Sequence, residues 1–357
     1  MASRHSGFNR RGADVLIGGR AMFGFNWNAF EKSGDSFSGA SGGASPERKR
    51  RPRIGLALGS GAARGWSHIG VLKELEERKV PVDVIAGASM GAVVGGCYAA
   101  GRLAQLEEFA RSLTKRRVFA LMDVSFSGAG MLSGGKLRDE LARELSGRRI
   151  ENLPLTFGAV ATEIGSGHEV WLRRGDLVQA IRASYALPGI FEPLHIDHRW
   201  LFDGALVNPV PVTLCRAMGA ELVIAVNLVG DTAYHGALIA DGVHPVPAAD
   251  REGEQFPGAG EARQLRRQFG RGADGAPGIV AAMLDAFNIT QDRIARSRLA
   301  GDPPDVLINA RLSKIGLFDF HRADELIAVG REAARRALNE IAEVAAIEGQ
   351  LHGRTPG

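Results

Sequence analysis

Apolar and polar positions first settle into a pattern at Ile54. "IGLAL" is an unbroken apolar run of strand length, followed by the glycine-rich "GSGAARG". In the next stretch Ile69, Leu72 and Leu75 recur at helical spacing with charges on the other face, which predicts a helix broken by Pro81. "VDVIAG" is a second apolar run, and "SMGAVVGGCYAAG" reads as a second helix built from small residues. Strand, glycine turn, helix, strand, sharp turn, helix predicts an α/β fold with parallel strands.

The pattern continues downstream. Ser133 stands where it would cap a helix over "GGKLRDELARELSG". "LTFGAVATE" and "HEVWLRR" predict a strand pair, and "DLVQAIRASYA" a helix stopped at Pro188-Gly189. "LHIDHRWLFDGAL" predicts a short hairpin and "ELVIAVNLV" a buried strand. A helix over "IVAAMLDAFNITQDRIARSRLA", a strand in "PDVLINARL" and a closing helix over "ADELIAVGREAARRALNEIAEVAAI" complete the set. Two stretches carry no period. Residues 1–52 are rich in Gly, Ser and Arg and read as a disordered basic arm. Residues from about 230 to 278 shift toward Gly, Ala, Pro and charge and read as a mobile insertion. One domain over 53–347 and a short tail over 348–357 are therefore expected.

Composition narrows the classes. The chain has 357 residues, 45% of them hydrophobic, which suits one large domain or two small ones. A net charge of +4 gives no case for nucleic acid. Cys97 and Cys215 form no disulfide framework or metal spacing, as expected in a reducing compartment. No secretory signal and no apolar run near the roughly 18–20 residues that span a bilayer are present, so a cytoplasmic protein, soluble or peripheral, is expected. Arg48, Lys49, Arg50, Arg51 and Arg53 form a basic cluster. It reads either as a solvated linker or as an electrostatic foothold on the anionic inner face of a membrane.

Candidate chemistry begins at "GASMG", Gly87 to Gly91, between the second strand and the second helix. A serine on such a turn, Ser89, presents its hydroxyl beyond the sheet edge, and small flanking residues suit the crowded backbone. The bare alternative is a glycine turn with a capping serine. The loop Gly59 to Gly65 lets backbone N–H groups approach an anion. A dinucleotide fingerprint would want glycine where Arg64 stands, and a P-loop would want G-K-[ST], so an oxyanion hole is the better use. Asp203 ends a short apolar strand and precedes Gly204; it reads as a base for the serine, or as an ordinary Asp-Gly turn.

"GLALGSGAARGWSHIGVL", "DVIAGASMGAVVGG", "ASYALPGIFEP" and "DGALVNPVPV", in this order, resemble the patatin-like phospholipases, above all the bacterial members related to neuropathy target esterase. The likeness covers about residues 53 to 345. It implies a three-layer α/β/α fold with a mostly parallel sheet. It also implies a lipid acyl hydrolase with a Ser–Asp dyad, with glycerophospholipid, lysophospholipid or another lipid ester as substrate and no cofactor or metal. By match Ser89 is the nucleophile and Asp203 the base, and the oxyanion loop falls on Ser60, Gly61, Ala62, Ala63, Arg64 and Gly65. Ser60 and Ala62 replace family glycines, and D-G-A replaces D-G-G. In this scheme the Gly61 and Ala62 amides meet the oxyanion and Arg64 adds positive potential. The acidic limb of kcat/KM lies well below 6 unless burial raises the Asp203 pKa. Two other readings stay open: a Ser-His-Asp esterase using His321, and a non-catalytic lipid-binding or regulatory protein. His68 and Cys97 read as structural. His195 and His198 make a poor metal pair, and Trp66, Trp171 and Trp200 are too scattered for a stacking surface.

Overall fold

The strand run that starts at Ile54 lies at the centre of a parallel sheet. The computed structural model describes residues 51–121, 130–132, 135–229, 278–312 and 315–351. Strands β1 (Ile54–Leu58), β2 (Val84–Ala88), β4 (Thr156–Glu163), β9 (Leu222–Asn227) and β10 (Val306–Asn309) pair in parallel, in the order β10-β9-β1-β2-β4. β5 (Glu169–Leu172) runs antiparallel to β4, as does β8 (Arg199–Asp203), which forms a hairpin with β7 (Leu194–Ile196). β3 (Gly130–Leu132) and β6 (Gly189–Phe191) make a separate parallel pair.

Residue size on the two sheet faces explains the layering. Successive strand residues point to opposite faces. Ile54, Leu56, Leu58, Ile85, Ile224 and Val226 supply a bulky face. It is covered by α1 (Ser67–Glu77), α2 (Met90–Ala99), α3 (Leu103–Arg111), α5 (Gly135–Leu145), α6 (Leu177–Ser184) and α9 (Ala323–Leu351). A shorter helix, α4 (Lys115–Leu121), contributes Val118 to the same core. On the other face Ala57, Ala86, Ala88 and Ala225 leave room for α7 (Val212–Ala217), which packs Leu214 and Cys215 directly on the sheet beside Ala295 of α8 (Ile279–Gly301). The fold is the mostly parallel, layered α/β architecture that the motifs imply.

The sequence expectations for residues 1–50, Ser133, residues 230–277 and the last six residues lie outside the described residues. At the borders the structure adds detail. Arg51 and Pro52, the last two residues of the expected arm, are both buried, and the Arg51 guanidinium donates to both Asp83 carboxylate oxygens at 2.5 and 2.7 Å. A buried, bidentate pairing withdraws Arg51 from the basic cluster. The closing helix reaches Leu351, past the expected boundary at 347. Among the described residues, no helix is long and apolar enough to cross a membrane.

Candidate active site

Sheet register alone brings Ser89 and Asp203 together. β2 and β5 both pair with Ala159 and Val160, so they occupy opposite edges of β4. β5 and β8 both pair with Ala161 and Thr162, so they too lie on opposite edges. β2 and β8 therefore share one edge of β4 and run toward each other. β2 ends with Ala88 opposite Val160, and β8 ends with Asp203 opposite Ala161. Ser89 is the next residue after β2, so the two side chains meet in the gap between strand ends. The Ser89 hydroxyl donates to Asp203 Oδ2 at 2.8 Å.

Both ends of this gap are tightly built. Ser89 has φ +54°, a left-handed conformation that costs a non-glycine residue of order 1–3 kcal/mol and persists only when its surroundings enforce it. They do so here. Its amide donates to the buried Ser184 hydroxyl at 3.0 Å, and a Cβ on Gly91 would land on the Leu58 carbonyl oxygen. Across the gap a Cβ on Gly204 would strike the Val160 carbonyl oxygen, so the turn after Asp203 also requires glycine. Asp203 Oδ1 accepts the Ala205 amide at 2.8 Å, its carbonyl accepts the Thr162 hydroxyl at 2.8 Å, and its amide donates to Ala186 O at 2.9 Å.

Burial governs the charge of the pair. Ser89 is 7% exposed and Asp203 only 2%. Among the described residues no cation forms a salt bridge with Asp203. Loss of solvation pushes the Asp203 pKa up to about 7, with the Ala205 amide and the Ser89 hydroxyl pulling it only partly back. The expectation of an acidic limb well below 6 carried an exception for burial, and Asp203 meets that exception.

The loop before α1 divides its amides. Ser60 N–H donates to Pro209 O, Ala63 N–H to Leu317 O and Arg64 N–H to Gly61 O, at 2.8, 2.9 and 3.0 Å. Among the described residues the Gly61 and Ala62 amides have no acceptor. Ala62 has φ +48°, a glycine-favouring conformation at a position where the resembled motif has glycine. The Arg64 Nε donates to Ile315 O at 3.0 Å, so this side chain fastens the loop to the segment before α9, a role its charge alone does not announce. Gly65 lies against Met90, the first residue of α2.

The remaining candidates sort by contact. His68 is fully buried, reaches Gly59 O through Nε2 at 2.7 Å, and is driven by burial to a pKa of about 4. It is a neutral support of the loop. His321 sits in the single turn Phe320–Arg322, and both Asp203 oxygens are already engaged by Ser89 and Ala205, so no imidazole stands between serine and carboxylate. His195 lies in β7 and His198 in the β7–β8 turn, and no group of three metal-ligating side chains occurs among the described residues. Cys97 and Cys215 are buried thiols raised to about 12 by burial, consistent with packing. Trp66 is buried while Trp171 and Trp200 are exposed, so they form no common surface. Sequence reasoning missed Thr162, Ser184 and Gln291, whose side chain accepts the Ser60 hydroxyl at 2.7 Å. Ser184 had a signal, a serine on the apolar side of a helix inside a recognised block. The others pair across distant chain segments and had none.

Comparison with known proteins converges on one group. Residues 56–216 match the family model described as patatin-like phospholipase. An uncharacterized NTE family protein of Mycobacterium tuberculosis is 39% identical over 331 residues, covering 80% of this chain and 91% of the relative. A second from the same species is 30% identical over 305 residues, covering 83% of this chain and 48% of the relative. Human patatin-like phospholipase domain-containing protein 6 is 37% identical over 182 residues, covering 49% of this chain and 13% of that much longer protein.

Proposed function

The chain belongs to the patatin-like phospholipase family, in its NTE branch, and from that premise we propose that it is a serine acyl hydrolase of lipid esters, of the phospholipase A or lysophospholipase kind. The 2.8 Å bond from the Ser89 hydroxyl to the Asp203 carboxylate carries the reading. Ser89 Oγ attacks the ester carbonyl carbon while Asp203 takes its proton. The oxyanion is met by the Gly61 and Ala62 amides, aided by the amino-terminal end of α2. The C–O bond to the alcohol then breaks, and the alcohol leaves with the proton from Asp203. Water attacks the acyl-enzyme, Asp203 accepts its proton and returns it to Ser89, and the carboxylic acid departs. This route uses no metal or organic cofactor.

An apolar cleft supports a lipid acyl group. It has a volume of about 220 Å³ and is lined by Leu187, Ile190, Leu206, Met283, Leu284 and Phe287. Its walls grow out of the Asp203 surroundings: Leu187 follows Ala186, which accepts the Asp203 amide, and Leu206 closes the turn after Asp203. Burying each chain methylene there contributes roughly 0.8 kcal/mol, so longer acyl groups gain affinity until the cleft is full. Fluorophosphonate labelling tests the core claim. Purified protein should be labelled and hydrolyse lysophospholipid, and Ser89→Ala should abolish both. An unlabelled parent, inert across a panel of lipid esters, would point to a lipid-binding protein instead. Loss of labelling in His321→Ala with Asp203→Asn unaffected would replace the dyad by a triad.

A further inference from the structure

We propose that Gln291, on α8, is a positioning residue for the oxyanion loop, acting through the Ser60 hydroxyl; the proposal rests on the acyl-hydrolase reading above. Ser60 and Gln291 lie 231 residues apart in sequence, and their side chains meet at 2.7 Å. Ser60 is fully buried and Gln291 only 5% exposed. A buried hydroxyl and a buried amide oxygen both need partners, and here the hydroxyl donates to the oxygen.

A hydroxyl has one hydrogen to give. The Ser60 hydrogen goes to Gln291 Oε1, so it is not available to a substrate oxygen, and the Ser60 amide is held by Pro209 O. Ser60 is thus an anchor rather than a donor to the oxyanion. The two residues that follow it, Gly61 and Ala62, have the amides without acceptors among the described residues. Ala62 is in a left-handed conformation that an alanine keeps only under constraint. The constraint is supplied from both sides. Downstream, Ala63 and Arg64 are tied to Leu317 O and Ile315 O. Upstream, the Ser60–Gln291 bond ties the loop side chain to side chain. Removing that tether leaves the upstream end held only by the Gly59 and Ser60 backbone amides, on Val226 O and Pro209 O, and the two amides that follow lose part of their aim. Because α8 also lines the apolar cleft with Met283, Leu284 and Phe287, one helix fixes the acyl site and the oxyanion donors relative to each other.

The test is a double-mutant cycle read in kcat, KM and inhibitor binding, using a soluble p-nitrophenyl ester and an alkyl trifluoromethyl ketone. The ketone forms a tetrahedral adduct with the serine and reports the oxyanion donors. Gln291→Leu replaces the amide by an apolar side chain of similar size. It should lower kcat roughly 10- to 100-fold, in line with misaimed donors, with KM held within about 3-fold. Ketone affinity should fall by the same factor as kcat. Ser60→Gly should lower kcat likewise, and the double variant should be no worse than Gln291→Leu alone. If Gln291→Leu is insoluble, Ser60→Gly alone carries the test, since glycine suits the loop backbone. Variants that melt lower while kcat and ketone binding stay within about 2-fold of an active parent would overturn the proposal, leaving the pair a packing contact. A parent that neither reacts with fluorophosphonate nor hydrolyses esters would overturn the hydrolase reading and this one with it.

Discussion

At the scale of the residue, Asp203 carries a conflict between stability and chemistry. In the proposed reaction, proton transfer needs its carboxylate ionised, and burial opposes that charge. With the folded pKa at about 7 and an ordinary value of 3.8, the folded state holds a proton between those limits that the unfolded state has lost. Stability from this group is therefore full below 3.8 and is lost as pH rises through about 7. Asp203→Asn removes the penalty, so it should melt a few degrees above the parent at pH 8, with the difference shrinking toward pH 4. The same variant should lose roughly 10²-fold or more in turnover. The acidic limb of kcat/KM for the parent should fall near pH 7; a limb near 5 would show that Asp203 is ionised more easily than its burial allows. Ala62 shows a milder strain. An alanine at φ +48° pays a steric penalty of roughly 1 kcal/mol that glycine does not. Glycine's extra freedom in the unfolded chain offsets part of it. Ala62→Gly should keep activity and raise the melting temperature slightly; a clear drop would mean that the methyl group packs in place of the missing strain relief.

At the scale of the element, the site is a junction of strand ends, and this explains what could be read in advance. β1, β2, β9 and the helices α1 and α2 are local patterns: an apolar run or a 3.6-residue period needs only neighbouring residues. The Ser89 turn was legible for the same reason, since strand, small residues and helix follow one another directly. Asp203 was legible as a strand-end aspartate and through a recognised block. That β8 would run head-on into β2 was not, because it depends on both strands sharing the same edge of β4. The environment of the dyad was equally hidden. Thr162 and Ser184 reach Asp203 and Ser89 across 41 and 95 residues of chain, and Gln291 reaches Ser60 of the neighbouring loop across 231. No period or motif links such positions. The raised Asp203 pKa follows from the same closure, since burial is a property of the assembled layers.

At the scale of the whole molecule, the question is where the domain begins, and the contacts of Arg51 bear on it. Its guanidinium grips both oxygens of Asp83, one of which also accepts the Ile54 amide at 2.9 Å, while the Asp83 amide donates to Ile54 O at 2.8 Å. Asp83 immediately precedes β2, so this cluster staples the entry of β1, the central strand, to its neighbour. On the other side the Arg53 amide donates to Glu221 at the start of β9. The three adjacent strands are thus registered at their amino-terminal ends, opposite the end where Ser89 and Asp203 meet. Burial pushes the Asp83 pKa up, but the Arg51 hydrogen bond, the Ile54 amide and the charges of Arg51 and Arg53 outweigh it, and the net value is lowered. A depressed carboxylate stabilises the fold above its ordinary value of 3.8, and that contribution is lost as pH falls below it. A charged hydrogen-bonded pair of this kind contributes about 2 kcal/mol. Shortening the chain to begin at Arg53, or making Arg51→Ala, should therefore lower the melting temperature by several degrees at pH 7. The loss should shrink as pH drops below 3.8, where Asp83 of the unfolded chain takes up its proton before Asp83 of the folded one. Ester hydrolysis, measured well below the melting temperature, should change little, because the staple lies at the far end of the strands from Ser89. A chain starting at Arg53 that melts with the parent at pH 7 would return Arg51 to the arm and place the domain boundary after it.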